Sequence, residues 1–127
     1  MNESRYGQLY SDAADSVMRL IGADQDYVAA GKSYFTVDIC IKFLDEAHAG
    51  DAVRVETQVL IGAGKKLKLF HRLLHQDGRL LSTGEQFLLH VDLNTRQSVE
   101  PEGALAETLK TLADAQSGLP WPDGVER

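Results

Sequence analysis

Apolar residues recur every three or four positions between Tyr6 and Ile21, which places them on one face of a helix. Asn2 is placed to cap its first turn, Glu3 lies near the positive end of the helix dipole, and Gly22 ends the helix. The members of this stripe are Tyr6, Leu9, Tyr10, Ala13, Ala14, Val17, Met18 and Ile21. The pattern predicts one long amphipathic helix that covers a hydrophobic core.

Beyond this helix the apolar period changes to two residues, which is typical of β-strands. A short helix is predicted first, over Asp24–Gly31, and four strands follow. The strands are predicted over Ser33–Leu44, Ala52–Ile61, Lys66–His75 and Arg79–Leu93, separated by glycine-containing turns. Consecutive hairpins would join the strands into a meander, and the first helix, the only sufficiently apolar one, would cover its apolar face.

Two positions inside these strands carry further predictions. Strict alternation in the first strand puts Phe35, Val37, Ile39, Ile41 and Phe43 on one face, and Tyr34, Thr36, Asp38, Cys40 and Lys42 on the other. Cys40, in the middle of that strand, is predicted to be a buried, inert thiol. Gly84, within the last strand, indicates a bulge or a point of close packing.

The C-terminal part has a different composition. Residues 104–115 are helical in character, and the tail after them contains two prolines that oppose regular structure. At 127 residues the chain is predicted to be one α+β domain over 1–127, with a core at 1–93 and a C-terminal helix and tail at 94–127.

Composition narrows the functional classes. The net charge is −6 and no cluster of cations exceeds the pair Lys65–Lys66, so a nucleic-acid partner is not expected. No stretch approaches the ~20 apolar residues of a membrane span, and the N-terminus lacks the features of a signal peptide. The single cysteine excludes an internal disulfide. We therefore expect a cytoplasmic protein without a membrane partner.

Three segments resemble a known family. MNESRYGQLYSDAADSVMRLIG is similar to the central helix of hotdog-fold acyl-CoA thioesterases of the 4-hydroxybenzoyl-CoA thioesterase-like group. YFTVDICIKFLDEAHAGDAVRVETQVL resembles the strand, loop and GD-x-[VL]-x-V strand of that group, and KLKLFHRLLHQDGRLLSTGEQFLLHVDL resembles its last two strands. Within the group the likeness is greatest to the betainyl-CoA thioesterases of carnitine breakdown. The resemblance implies a hotdog fold, a long central helix wrapped by a curved antiparallel β-sheet.

The resemblance also marks a difference at the N-terminus. Relatives in this group carry a first strand before the helix that ends in a loop of the form D-Y-N-G-H-M, and Met1 falls on the final Met of that loop. We therefore expect the loop's Asp, Asn and His to come before the printed chain, from a start assigned too far downstream, or to be missing from it. On this basis weak or no hydrolysis is expected of the chain as printed.

Thioester hydrolysis needs a polarised carbonyl and a water delivered by a carboxylate. The backbone N–H groups of Asn2 and Glu3, at the helix start, are the candidate oxyanion donors, the alternative being a frayed helix end. By the resemblance Glu46 matches the glutamate of acyl-ACP thioesterases and would orient water or act as the base, the alternative being a solvated turn residue. The Glu3 side chain is a second candidate carboxylate, with stabilisation of the helix dipole as its alternative. Asp12 is a third, although a solvated helix face explains it as well.

Binding residues follow from the same comparison. Tyr6, Tyr10 and Tyr34 are candidates for an aromatic acyl pocket that would attract a trimethylammonium group, the alternative being ordinary core packing. Lys65, Lys66 and Arg72 are candidates for the phosphates of coenzyme A, the alternative being a solvated turn. The four histidines show no zinc spacing, so no metal is expected and the histidines are read as structural or surface residues. No cofactor is expected, since coenzyme A is part of the substrate.

Two functions from different classes stay open. The first is a thioesterase for a small acyl-CoA, working as a homodimer or tetramer with its site between protomers. The second is a non-catalytic hotdog module that binds a CoA ester or serves in assembly.

Overall fold

The computed structural model describes residues 3–122 and 125. The elements are α1 (Glu3–Ile21), α2 (Gln25–Ala29), β1 (Lys32–Phe43), β2 (Val53–Ala63), β3 (Lys66–His75), β4 (Leu80–Asp92), β5 (Gln97–Ser98) and α3 (Gly103–Gln116). The predicted helices and four long strands are therefore confirmed, and only the two-residue strand β5, which pairs with the end of β4, was not predicted.

The order of strands in the sheet differs from the predicted meander. The antiparallel order is β1-β4-β3-β2, so β1 pairs with β4 and not with β2. Residues 44–52, which we call the crossing loop, must therefore pass from one edge of the sheet to the other. Three strand spacings make this distance about 14 Å. The consecutive-hairpin prediction is wrong for β1 and β2 because turn composition does not specify which strand a chain pairs with.

A β-bulge changes which residues of β1 face the helices. Thr36 lies opposite Leu88, whereas Asp38 lies opposite Phe87, so Val37 is an extra, unpaired residue. Residues opposite one another share a face of the sheet. The helix-facing residues of β1 are those opposite His90, Leu88, Gln86, Gly84 and Ser82, namely Tyr34, Thr36, Ile39, Ile41 and Phe43. The predicted alternation is therefore wrong before the bulge and correct after it.

Helix α1 packs its predicted apolar stripe onto this face. Tyr10 is fully buried at the centre of the contact, and a Cβ atom built at Gly84 would lie 2.9 Å from Cδ2 of the Tyr10 ring. The sheet keeps its register at Gly84, whose partner is Ile41. Gly84 is thus a point of close packing and not a bulge.

The C-terminal part also covers the sheet, contrary to the prediction that α1 alone does so. Leu105 and Leu109 of α3 are buried in the same core cluster as Ala14 and Ile21. Gln116, at the end of α3, accepts a 2.6 Å hydrogen bond from the backbone N–H of Val59 on edge strand β2. Further along, the amide of Gln58 donates to the Pro120 carbonyl, and Pro122 is buried.

Cys40 is exposed, so the predicted buried thiol is wrong. It lies on the face of β1 turned away from α1, in the same alternation as Asp38 and Lys42. Among the described residues, no helix is long and apolar enough to span a membrane.

Candidate active site

The crossing loop lies against the first two turns of α1. The Tyr6 hydroxyl donates to the Asp45 carbonyl at 3.4 Å, and the Tyr6 ring meets Phe43 edge-on at 5.0 Å. Ala47 is only 3% exposed and packs in one cluster with Tyr6 and Tyr10. These contacts exist because β1 ends beside the N-terminal part of α1 and the loop then crosses the end of the sheet.

Glu46 therefore lies near the start of α1, next to the residue that Tyr6 contacts. Its side chain is exposed, and its backbone N–H donates to Asp45 Oδ1 at 2.8 Å. An exposed carboxylate in this loop has access to water. Its catalytic role stays a prediction.

The other two predicted groups at this end of α1 belong to its first residues. Helix α1 begins at Glu3, whose backbone N–H is one of the four without an i−4 partner in the helix. Asn2 and the Glu3 side chain lie outside the described residues. The predicted oxyanion donors and second carboxylate are therefore untested.

The structure does not bring the three predicted acyl-pocket tyrosines together in one protomer. The hydroxyl of Tyr10 donates to Ser82 Oγ at 2.7 Å, and burial raises the pKa of Tyr10 to about 12. Tyr34 lies near the opposite end of β1 from Phe43, about 30 Å along the strand. There it packs edge-on against His90 at 5.0 Å. Acyl binding by the three tyrosines stays a prediction.

The three predicted phosphate-binding cations are also dispersed. Lys65 and Lys66 are exposed at the β2–β3 turn, which lies at the opposite end of the sheet from the crossing loop. Arg72 lies about 20 Å further along β3. Its guanidinium stands 4.8 Å from the centre of the Phe70 ring and donates to Gln58 Oε1 at 3.5 Å. The two lysines are therefore an exposed pair at this turn, and Arg72 lies apart from them.

A chain of four polar side chains crosses all four long strands, and sequence reasoning did not find it. Its two central members, His71 and Gln86, are buried. Thr57 Oγ1 donates to His71 Nδ1 at 2.8 Å, and His71 Nε2 donates to Gln86 Oε1 at 2.9 Å. The Gln86 amide then donates to Thr36 Oγ1 at 2.8 Å. Burial lowers the pKa of His71, consistent with a neutral ring that donates from Nε2 and accepts at Nδ1. No spacing along one strand signals this chain, because each member lies on a different strand.

A second polar group joins the crossing loop to the turn between β3 and β4. Its members are Asp45 and Asp51 of the loop and His75, Asp77 and Arg79 of the β3–β4 connection. Arg79 donates from Nη1 to Asp45 at 2.9 Å, and Nε2 of His75 lies 3.1 Å from Asp51. The Asp77–Gly78 turn was predicted, but not these partners.

A groove runs along α1 beside edge strand β2. It has a volume of about 440 Å³ and is lined by Leu9, Asp12, Ala13, Ser16, Val17, Leu20, Val55 and Thr57. Asp12 is exposed there and accepts a 2.8 Å hydrogen bond from the Gln8 amide. Thr57 in this groove is also the first member of the polar chain across the four long strands. In residues 3–122 and 125, no three His, Cys, Asp or Glu side chains come together in a way that could hold a metal ion.

Comparison with known proteins identifies the family. The family model of the thioesterase-like superfamily matches residues 1–109 of the chain. The chain belongs to the thioesterase-like superfamily. Membership confirms the predicted family, and similarity to solved structures confirms the predicted hotdog fold.

Two relatives match this thioesterase-like chain over different shares of their own length. It is 51% identical over 125 residues to an L-carnitine dehydrogenase/betainyl-CoA thioesterase of Ruegeria pomeroyi, covering 98% of this chain and 26% of that protein. It is 38% identical over 129 residues to a betainyl-CoA thioesterase of Pseudomonas aeruginosa, covering 100% of this chain and 81% of that protein. The chain thus spans about a quarter of the first relative and four-fifths of the second.

A solved structure supports the fold of this thioesterase-like domain. A hypothetical Staphylococcus aureus protein in complex with CoA superposes with a TM-score of 0.86 at 23% identity, covering 100% of this chain and 82% of that one. At this identity the likeness establishes the fold alone.

Proposed function

We propose that this protein hydrolyses the thioester of a small acyl-CoA to the free acid and CoA, with betainyl-CoA as the first substrate to test. The observation that carries the proposal is the match along the whole chain to the P. aeruginosa betainyl-CoA thioesterase. The exposed Glu46 beside the start of α1 supplies a chemical arrangement that fits this reaction.

In the proposed reaction Glu46 acts as the general base. It takes a proton from water while the water oxygen bonds to the carbonyl carbon, and the negative charge moves onto the carbonyl oxygen. Backbone N–H groups at the start of α1 stabilise this oxyanion. The C–S bond then breaks, and the thiolate of CoA leaves with a proton returned from Glu46. The products are the carboxylic acid and CoA.

Release of free CoA thiol from betainyl-CoA and from unbranched short-chain acyl-CoA esters tests this proposal. Glu46→Gln should lower kcat strongly and change KM little, because the neutral amide cannot accept the proton. Asp12→Asn tests the alternative carboxylate in the α1 groove under the same conditions. Glu107→Gln, an exposed change on α3, is the control and should leave both constants unchanged. Normal kcat in Glu46→Gln would remove Glu46 from the mechanism.

The non-catalytic module is distinguished by the sequence that precedes Met1. The chain as printed and a chain extended along the upstream reading frame are assayed side by side. A D-x-N-x-H segment in that frame, with faster hydrolysis by the extended chain, supports the enzyme. Binding of a CoA ester without turnover by either chain supports the module.

We also propose that two copies pair through β1. This strand is one edge of the sheet, and it exposes Phe35, Val37, Ile39 and Phe43 by 40–53%. The other edge, β2, has α3 and residues 116–120 against it. Apolar side chains on an open edge strand favour pairing with another strand. Antiparallel pairing about a two-fold axis would set the Tyr34 end of one protomer beside the Phe43 end of its partner.

Such pairing has a consequence for the dispersed site residues. The end of β1 that carries Tyr34 is also the end of the sheet that carries Lys65 and Lys66. In the proposed dimer, the Tyr34 end of one protomer lies on the same side as the crossing loop of its partner. Residues separated within one protomer would then serve a single site formed between two.

A further inference from the structure

The crossing loop is attached at both of its ends to the turn between β3 and β4. Near its start, Asp45 Oδ2 lies 2.9 Å from Arg79 Nη1. Near its end, Asp51 Oδ2 lies 3.1 Å from His75 Nε2 and also accepts from the backbone N–H of His48 at 2.8 Å. The loop between these points contains Glu46.

Asp77 connects the two attachments to each other. Its Oδ2 accepts from Arg79 Nε at 2.7 Å, and its backbone N–H donates to His75 Nδ1 at 3.1 Å. Nδ1 of His75 also lies 3.1 Å from Asp77 Oδ1, and Nε2 is the atom that donates to the Asp51 carboxylate, which can only accept. The result is a continuous series, Asp45–Arg79–Asp77–His75–Asp51, which we call the loop clamp. Hydrogen bonds from backbone N–H groups, and after them the Arg79 side chain, hold the pKa values of Asp45 and Asp77 below their ordinary value.

Asp45 is the member of the clamp that reaches Glu46. One carboxylate oxygen, Oδ2, binds Arg79, while the other, Oδ1, accepts from the backbone N–H of Glu46 at 2.8 Å. The carbonyl of the same residue accepts from the Tyr6 hydroxyl of α1. Asp45 therefore sets the backbone of Glu46 relative to both the β3–β4 turn and the helix start.

The Asp45–Arg79 pair affects the stability of the fold and the position of Glu46 to different degrees. The Asp45 and Arg79 side chains are each 46% exposed, and ion pairs exposed to this degree add little to the stability of a fold. A misplacement of about 1 Å at a reacting group can nevertheless cost roughly 100-fold in rate. The loop clamp thus adds little to the stability of the fold, and its consequence lies in where it holds Glu46.

We propose that Arg79 is a positioning residue, which holds Asp45 and thereby the catalytic carboxylate Glu46 at the start of α1. The inference rests on the proposed function, in which Glu46 is the base. Arg79 suits this task because its planar fork engages Asp77 through Nε and Asp45 through Nη1 at once. Lysine, with one ammonium group, cannot reproduce that geometry.

The test measures kcat and KM for the acyl-CoA that the protein hydrolyses fastest. Arg79→Gln should lower kcat by about 3- to 10-fold and change KM less than about 2-fold, because substrate contacts are kept while the base spends less time in its productive position. Arg79→Lys should recover part of the lost kcat, since it keeps the charge but not the fork. Arg54→Gln breaks the exposed Arg54–Glu56 pair on β2 and should leave both constants unchanged.

Asp45→Asn supplies an independent arm. Its Oδ1 still accepts from the Glu46 N–H, whereas its attraction to Arg79 is lost. The double variant Asp45→Asn/Arg79→Gln should then be no slower than the slower single variant, because both changes break the same link. Additive losses would overturn the proposed path through Asp45.

The outcomes separate this inference from the proposed function. If Glu46→Gln lowers kcat while Arg79→Gln, folded by circular dichroism, leaves it unchanged, the positioning role is overturned and the proposed function stands. If Arg79→Gln raises KM as much as it lowers kcat, Arg79 binds substrate and the inference is again overturned. Unchanged kcat in Glu46→Gln contradicts the proposed function itself.

Discussion

The ring of Tyr10 stacks on the imidazole of His71, with centroids 5.1 Å apart and an angle of 12° between the planes. This contact joins the middle of α1 to the middle of the sheet. It is possible because Gly84, on the neighbouring strand, has no side chain where the Tyr10 ring lies. The position of α1 therefore depends on the register of the sheet and on the polar chain that contains His71.

Gly84→Ala should destabilise the fold. Its Cβ would lie 2.9 and 3.0 Å from two carbons of the Tyr10 ring, which is held on its other sides by His71 and Ser82. Overpacking of this kind costs about 1–3 kcal/mol in the free energy of unfolding. Urea denaturation measures it. Gly7→Ala, with open space around its Cβ on α1, is the matched control and should stabilise by about 0.5–1 kcal/mol. Equal stability of Gly84→Ala and the native chain would contradict the close packing.

Stability should fall as the pH is lowered from about 6.5. Burial lowers the folded-state pKa of His71 and of His90 below the ordinary 6.5, so the unfolded chain binds protons that the folded chain does not. The free energy of unfolding then decreases from the ordinary pKa down to the lowered folded values. Denaturation at several pH values between 7.5 and 5, chosen roughly to bracket that range, measures the slope.

His71→Gln tests the assignment of that slope. The variant removes one of the two buried titrating groups and should flatten the pH dependence, even though it also weakens the polar chain to Thr57 and Gln86. His48→Gln, at an exposed position, is the control for loss of a histidine and should change stability by less than about 0.5 kcal/mol. A slope as steep in His71→Gln as in the native chain would argue against a neutral buried His71.

Gln116→Ala should loosen the edge strand β2. Without the Gln116 oxygen, the Val59 N–H beside the β2 bulge loses its partner. An unsatisfied buried donor costs about 1–3 kcal/mol, which permits local opening. Hydrogen exchange of the Val59 amide should therefore accelerate. Thr111→Ala, which loses only an exposed bond to the Glu107 carbonyl within α3, should leave this exchange unchanged.

Val37→Lys should yield monomers if two copies pair through β1. Val37 is the bulged residue of that edge strand and is 52% exposed. An ammonium group there opposes strand pairing, both by charge repulsion across the two-fold axis and by desolvation. Val28→Lys, at a 44% exposed position on α2, is the matched control. Sedimentation equilibrium compares the two, and a dimeric Val37→Lys would redirect the interface to another surface.

The elements could be predicted from local pattern because their periods are properties of short segments. β3 was predicted with its observed bounds, Lys66–His75. Asp24, where the predicted short helix begins, caps α2 by accepting from the Tyr27 N–H at 3.1 Å. The family could be predicted as well, since the resemblance rests on contiguous motifs. The position of Glu46 in a loop followed from the same local reasoning, and its chemistry stays a prediction.

Local pattern was thus enough to predict the helices and the four long strands to within two residues, the buried stripe of α1, and the family. Three features became visible only in the folded chain: β1 pairs with β4, an extra residue at Val37 turns Tyr34 and Thr36 toward the core, and Arg79 reaches Asp45. The difference lies in how far apart along the chain the interacting residues are. Alternation and turn propensity act over a few residues, whereas strand order, bulge position and the loop clamp depend on which distant segments pack together.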